Sequence, residues 1–190
     1  MIEEKEERTR HSRLRGRVAK GSGVAVVSAL CVILSSTPAS AYTTTGAKWP
    51  ATDIQINYSY VNGDYRSGFT SAVGNYRLAT DVNLTGTLDS GPTFTARNTN
   101  YGATGWEGQA DWTAPFGVTT SAQIRLNDYY LQGAPVDRLK VVWLHEIGHG
   151  LGLGHVDTVA RVMYTSASAA YNAGVRELTS DEISGINDLY

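Results

Sequence analysis

Apolar and polar residues alternate along Asp53–Tyr60, with Ile54, Ile56, Tyr58 and Tyr60 on one side and Gln55, Asn57 and Ser59 on the other. A period of two belongs to a half-buried strand. The period then changes. Behind the turn residues Asn62-Gly63-Asp64, residues Phe69, Ala72, Val73 and Tyr76 recur at three and four, which predicts a helix from about Asp64 to Ala79. Asp81 to Pro115 is rich in Gly, Thr, Asn and Asp with short apolar clusters, and reads as short strands and exposed loops. Alternation returns at Ala122–Asn127, where Ile124 and Leu126 oppose Gln123, Arg125 and Asn127; this is read as a strand at the edge of a sheet. Pro135-Val136-Asp137 opens a second helix, with an acidic first turn that suits the helix dipole and an apolar side of Leu139, Val141, Val142 and Leu144. The chain closes on Thr179-x-x-Glu182, a capping box, followed by Ile183, Ile186 and Leu189 at intervals of three. Strands mixed with helices, without a repeat or a long linker, predict one α+β domain.

The beginning of the chain has a different character. Met1 to Lys20 holds seven Lys/Arg and four Glu without apolar rhythm, and the uncharged run Val24–Leu34 follows. Small residues then lead to Ala39-Ser40-Ala41. This is the layout of a secretory signal peptide, and the run is short of the roughly twenty residues that span a bilayer. Residues 1–41 are therefore expected to be a signal peptide cleaved after Ala41, and residues 42–190 the domain, secreted to the extracellular space and free of the membrane once cleaved. An uncleaved anchor is the alternative.

The remaining 149 residues are enough to bury about 70% of the unfolded surface. The single cysteine, Cys31, lies in the signal segment, so the domain has no disulfide and no thiolate. Nine Lys/Arg against fourteen Asp/Glu give the domain a formal net charge of −5. That charge is no footprint for nucleic acid or an anionic membrane. A monomer is expected.

The candidate chemistry lies where the second helix ends, in His145-Glu146-Ile147-Gly148-His149-Gly150-Leu151-Gly152-Leu153-Gly154-His155. Residues four apart on a helix lie one turn above each other, so His145 and His149 can offer two imidazoles to one ion. Glu146, one step round, can reach a water on that ion without displacing it. Catalytic zinc takes three protein ligands and keeps its fourth position open. A third ligand six residues beyond His149 is off the face of a continuous helix. Gly152, free of a Cβ, can adopt a left-handed conformation, end the helix and let the chain return His155 to the ion. The domain's three histidines are all in this motif. H-E-x-x-H alone arises by chance in roughly one such chain in several hundred, and the added Gly and His make the pattern about a thousandfold rarer.

The stretch resembles the metzincin metallopeptidase motif H-E-x-x-H-x-x-G-x-x-H. Within that group it is most similar to the matrixins (peptidase M10), through Leu151-Gly152-Leu153, Met163-Tyr164, the closing Leu178–Tyr190 and Lys48-Trp49-Pro50. The resemblance implies a zincin-like metzincin fold, a twisted mixed sheet with the active-site helix above it and a small C-terminal subdomain ending in the closing helix. It implies one catalytic zinc on His145, His149 and His155, with Gly152 and Met163 supporting the site, Met163 from a methionine turn. The implied activity is that of a zinc endopeptidase, in which Glu146 acts as general base on a zinc-bound water to hydrolyse peptide bonds of protein or peptide substrates. It also implies that an edge strand, assigned to Gln123–Asn127, pairs with an extended peptide, and that the loop Thr165–Gly174 sets specificity. The departures are Val156 where matrixins commonly carry Ser, Thr165 where astacins and serralysins carry a ligating Tyr, and no histidine left for a second, structural zinc. Calcium has a place in the family, but no calcium ligand set is readable in the middle of the chain.

Two rival readings stay open. One is an idle zinc-binding module, which has no use for Glu146; the other is zinc hydrolysis of a non-protein amide. Trp106, Trp112, Tyr129 and Tyr130 are left out of the site, because aromatics of an exported domain more often pack or sit at the surface.

Overall fold

Strand β2 (Asp53–Tyr60) forms over the residues whose alternation predicts it, within a computed structural model that describes residues 42–190. The predicted signal segment lies outside the described residues. In chain order the elements are β1 (Thr43–Thr44), β2, α1 (Gly63–Ala79), β3 (Asn83–Thr87), β4 (Phe94–Thr99), β5 (Gly108–Thr113), β6 (Ser121–Asn127), α2 (Asp128–Leu131), α3 (Val136–Leu151), β7 (Leu153–Gly154), α4 (Ala167–Asn172) and α5 (Ser180–Leu189). The architecture is α+β, as expected.

Five strands form a mixed sheet in the order β3-β2-β4-β6-β5, parallel except for β5, which runs antiparallel to β6. One face carries the buried Ile54, Ile56, Leu84, Phe94, Ala96, Ala122, Ile124 and Leu126. Helices α1 and α3 pack against each other and against the sheet. Phe69, Ala72, Val73 and Tyr76 of α1 are buried, the set its spacing predicts. Trp143 of α3 is fully buried against Phe69 in an edge-on contact at 5.3 Å, and its indole N–H donates to Tyr65 O at 3.0 Å.

The C-terminus of α3 positions the site, and its last carbonyls need partners. Gly152 takes the left-handed conformation, with φ 110°, and its N–H returns to the carbonyls of Gly148 and His149. Gly150 O accepts from Trp49 Nε1 at 2.9 Å, Leu151 O from the Tyr190 hydroxyl at 2.8 Å, and Gly152 O from Thr45 N at 2.8 Å. Beyond that turn β7 pairs antiparallel with β1. Both ends of the described chain therefore close over the end of this helix.

Three expectations need correction. The strand read as an edge, Gln123–Asn127, is the interior strand β6, bonded to β4 and β5; the edge on that side is β5. Alternation reports that one face is buried, not how many neighbours a strand has. Strand β5, Gly-Gln-Ala-Asp-Trp-Thr, has no fully buried residue and so left no period to read. Tyr60 does not share the face of Ile54: a register irregularity between Asn57 and Tyr60 turns it out, 61% exposed, beneath the Arg97 guanidinium. The Thr165–Gly174 loop contains α4, capped by Ser166 Oγ accepting from Ala169 N at 3.2 Å, with Ala167 and Ala170 buried. Six residues are too few for a helical period to emerge.

Candidate active site

His145 and His149 occupy the last two turns of α3, and the turn at Gly152 brings His155 back to them. The three Nε2 atoms form a triangle with sides of 3.1, 3.2 and 3.0 Å. The other ring nitrogens explain what that triangle is. His145 Nδ1 lies 2.8 Å from Val162 O, and His149 Nδ1 lies 2.9 Å from Leu153 O. A carbonyl can only accept, so each Nδ1 carries the proton and each Nε2 presents a lone pair. Two such lone pairs face each other across 3.1 Å, an arrangement that a shared cation stabilises and an empty space does not.

The triangle also has the right size. Its corners lie about 1.8 Å from their common centre, so a point slightly out of plane is within the 2.0–2.1 Å of zinc–imidazole bonds from all three. Among the described residues these three histidines are the one group whose ligand atoms converge on a metal-sized position. Backbone carbonyls on Nδ1 are the usual outer partners of metal-binding histidines, fixing tautomer and ring direction. His155, the most exposed of the three, is steadied from behind, where Thr43 Oγ1 donates to its carbonyl at 2.6 Å.

Electrostatics agree. Burial, reinforced by the neighbouring His149 ring, lowers His145 from 6.5 to about 3. Burial lowers His149 to about 4 against the opposing bond to Leu153 O, and burial also lowers His155. All three rings are thus neutral near pH 7, the form in which an imidazole can bind a metal. Glu146 is 4% exposed, and burial above all, then the charges of Glu107 and Asp111, raises its pKa well above the ordinary carboxyl value; Arg125 opposes the shift.

Met163 is buried beneath the helix, and a Cβ on Gly148 would lie 2.5 Å from its sulfur, so the helix rests directly on it. Its backbone is tied on both sides. Met163 O accepts from Val156 N at 2.9 Å, and Met163 N donates to Glu182 Oε1 at 3.2 Å. Glu182 Oε2 accepts from Thr179 N at 2.9 Å, so the capping box that starts α5 also holds the turn under His145.

An open cleft of about 810 Å³ runs over the histidines. Gly108, Gln109, Ala110 and Trp112 of β5 line it together with Trp106, Glu107, Tyr130, Arg138 and Thr165–Ala167. Three of the aromatics set aside on sequence, Trp106, Trp112 and Tyr130, thus line the cleft, and Tyr129 does not. No sequence period marks them. Glu107, Arg138 and Ser168 form a cluster that sequence gave no sign of. Glu107 accepts from Ser168 N at 2.8 Å, from the Ser168 hydroxyl and from Arg138 at 3.3 Å, while Arg138 Nε donates to Ser168 Oγ at 2.7 Å.

The sequence model of the matrixin family (peptidase M10) matches residues 26–190. A protein of Spodoptera frugiperda ascovirus 1a, named for the matrix metalloproteinases, is 41% identical over 64 residues; the aligned stretch covers 33% of this chain and 16% of the viral protein. The family match spans the whole described domain, including the histidine motif, the methionine turn and the closing helix, and on it the chain belongs to the matrixin family.

Proposed function

We propose that this chain is a secreted zinc-dependent endopeptidase, with residues 1–41 as its export signal, residues 42–190 as its catalytic domain, and Glu146 as general base. One observation carries the reading: three neutral imidazoles, two of them locked as Nδ1 tautomers, aim their lone pairs at one point beside a buried carboxylate. His145, His149 and His155 would hold a zinc ion there, and that ion would supply Lewis acidity toward the scissile carbonyl and toward water.

The chain's own groups do the rest. Glu146, buried one residue from His145, is placed to take a proton from the attacking water and deliver it to the departing amine. The Nδ1 bonds of His145 and His149 keep the rings from turning as charge builds. Strand β5 has one edge paired to β6 and the other open along the cleft, so an extended substrate can add to it by backbone hydrogen bonds. That open edge favours a polypeptide over a glycan-linked amide. The helix α4 behind Met163 and the Glu107–Arg138–Ser168 cluster bound the pocket beyond the scissile bond. No helix among the described residues is long and apolar enough to cross a membrane; a monomeric exported domain is the form proposed.

The test is paired. The exported protein is expected to begin at Tyr42, to carry one zinc per chain and to digest casein or gelatin. Glu146→Ala is expected to keep the zinc and lose digestion by about 10²–10⁴-fold. Zinc bound with no digestion by either protein would overturn the endopeptidase reading, and a retained leader would overturn the export reading.

A further inference from the structure

The connection from β5 to β6 turns at Pro115-Phe116-Gly117-Val118. Phe116 has φ 56° and ψ 29°, Gly117 has φ 80°, and Val118 N donates to Pro115 O at 3.1 Å. Two consecutive left-handed residues closed by that bond make a type I′ turn. Its first central position is normally Asn, Asp or Gly, because a side chain with a full Cβ crowds the backbone there. Phe116 is the only non-glycine among the described residues with positive φ. Burial does not offset the strain, since the ring is fully exposed.

The turn is not loose. Lys48 N donates to Gly117 O at 3.0 Å, and Thr119 N donates to Lys48 O at 2.7 Å, so the turn is bonded on both sides to the segment after β1. An exposed phenyl ring is therefore held out from an anchored turn at a position chemically unsuited to it. Outliers of this kind concentrate at binding sites.

Its place follows from β5. Gly108 faces Glu146, and Trp112, four residues on, faces the same side of the strand about 13 Å further along. Trp112 lines the cleft at 39% exposure, and Val118 on the returning strand side is 44% exposed. Glu107, joined to Arg138 and Ser168, precedes Gly108, so the strand leads from that cluster past Glu146 to Trp112 and then to Phe116. Phe116 and Val118 are not in the cleft lining; they lie beyond Trp112, where the β5 side of the cleft ends.

Resting on the endopeptidase reading, we propose that Phe116, with Trp112, is a binding site for an apolar side chain of the polypeptide substrate, about five or more residues from the bond that is cut. It is a site for length: a short peptide ends before it, and an unfolded protein does not.

Phe116→Asn tests this, because Asn suits the turn and removes the ring. Its melting temperature is expected to be unchanged or raised by about 2–4 °C. Its kcat/KM on unfolded casein is expected to fall about tenfold, through KM, for loss of one apolar contact. Cleavage of a six-residue peptide spanning the same bond is expected to keep the wild-type rate, and Phe116→Leu to restore most casein cleavage. Equal casein kinetics for Phe116→Asn and wild type overturns the proposal, as does an equal loss on both substrates. Should the wild type cleave neither substrate, the endopeptidase reading fails. Equilibrium binding of unfolded casein to zinc-loaded Glu146→Gln protein, with and without Phe116→Asn, then decides this proposal separately: weaker binding supports it and equal binding overturns it. A change in sedimentation or in vesicle binding, with casein affinity unmoved, overturns it in favour of a second copy or a lipid surface.

Discussion

Gly108 opens the edge strand directly against Glu146, and that contact allows function to be separated from fold. An ideal Cβ at Gly108 would lie 2.8 Å from Glu146 Cδ and 2.9 Å from Cγ, and closer still to Oε1. Ordinary contact begins at 3.4 Å, so Gly108→Ala must push the carboxyl carbon back by about half an ångström and Oε1 by about 1 Å. The backbone does not object, because Gly108 is not among the residues with positive φ. The obstructed atoms end a flexible side chain, so the fold can yield cheaply. Catalysis cannot, since a reacting group misplaced by about 1 Å can lose about 10²-fold in rate, which is about 2.7 kcal/mol of transition-state stabilisation. The expected Gly108→Ala protein has one zinc per chain, a melting temperature within a few degrees of wild type, and kcat/KM on casein lower by about 10²-fold. In a Glu146→Gln background the same substitution is expected to add almost nothing, since both changes act through one carboxylate. A kcat/KM within threefold of wild type refutes the reasoning, and so does a loss that is fully additive with Glu146→Gln.

Gly152→Ala meets strain at φ 110° and overlaps Ala47 O, so it is expected to destabilise by about 2–4 kcal/mol and to release zinc, measured by urea unfolding and zinc titration. Thr43→Val removes the donor to His155 O and is expected to weaken zinc binding about tenfold while leaving unfolding of the zinc-free protein nearly unchanged; an unaltered zinc affinity would deny β1 its part in holding the third ligand. The zinc-free protein is expected to lose stability as pH falls. His145 and His149 are held at about 3 and about 4 when folded against 6.5 when unfolded, so between pH 6.5 and about 4 the unfolded chain binds more protons. The slope is up to about 1.4 kcal/mol per ring per pH unit. Glu146, with its raised pKa, acts in the opposite sense above the ordinary carboxyl value, so the measurement belongs in a Glu146→Gln background. A urea midpoint flat across that window contradicts the assignment of both rings.

What was legible in the sequence is what the sequence must declare locally. The capping box at Thr179–Glu182, the acidic first turn after Pro135 and the left-handed Gly152 are each decided within a few residues, and α5, α3 and the turn after it form where those signals lie. The histidine triad belongs to the same class, because a helical turn and one chain reversal fix where three rings meet. The partners that give those rings their chemistry were not legible. His145 bonds to the carbonyl of Val162, seventeen residues on, and His149 to that of Leu153; a backbone acceptor is present at every residue and leaves no mark in the alphabet. The cluster joins Glu107, in the loop before β5, to Arg138 of α3 and Ser168 of α4, up to 61 positions apart, so no local pattern could announce it.

Asn127 is a second residue whose partners leave no local mark. Alternation assigned it to the polar side of its strand, opposite Ile124 and Leu126, yet it is fully buried. Its Oδ1 accepts from Tyr101 N at 3.0 Å and Tyr129 N at 3.1 Å, and its Nδ2 donates to Gly102 O at 3.0 Å, Thr104 Oγ1 at 2.9 Å and Trp106 O at 3.3 Å. One amide thereby ties down the loop that delivers Trp106 and Glu107 to the cleft. A polar residue on the outer side of a strand reads as solvent-facing unless something covers it. Here the cover is the loop Asn100-Tyr-Gly-Ala-Thr-Gly-Trp106, in which Tyr101 packs on Trp106 and no hydrophobic period repeats. Composition alone therefore hides such a residue, because the amide and the loop supply each other's hydrogen bonds.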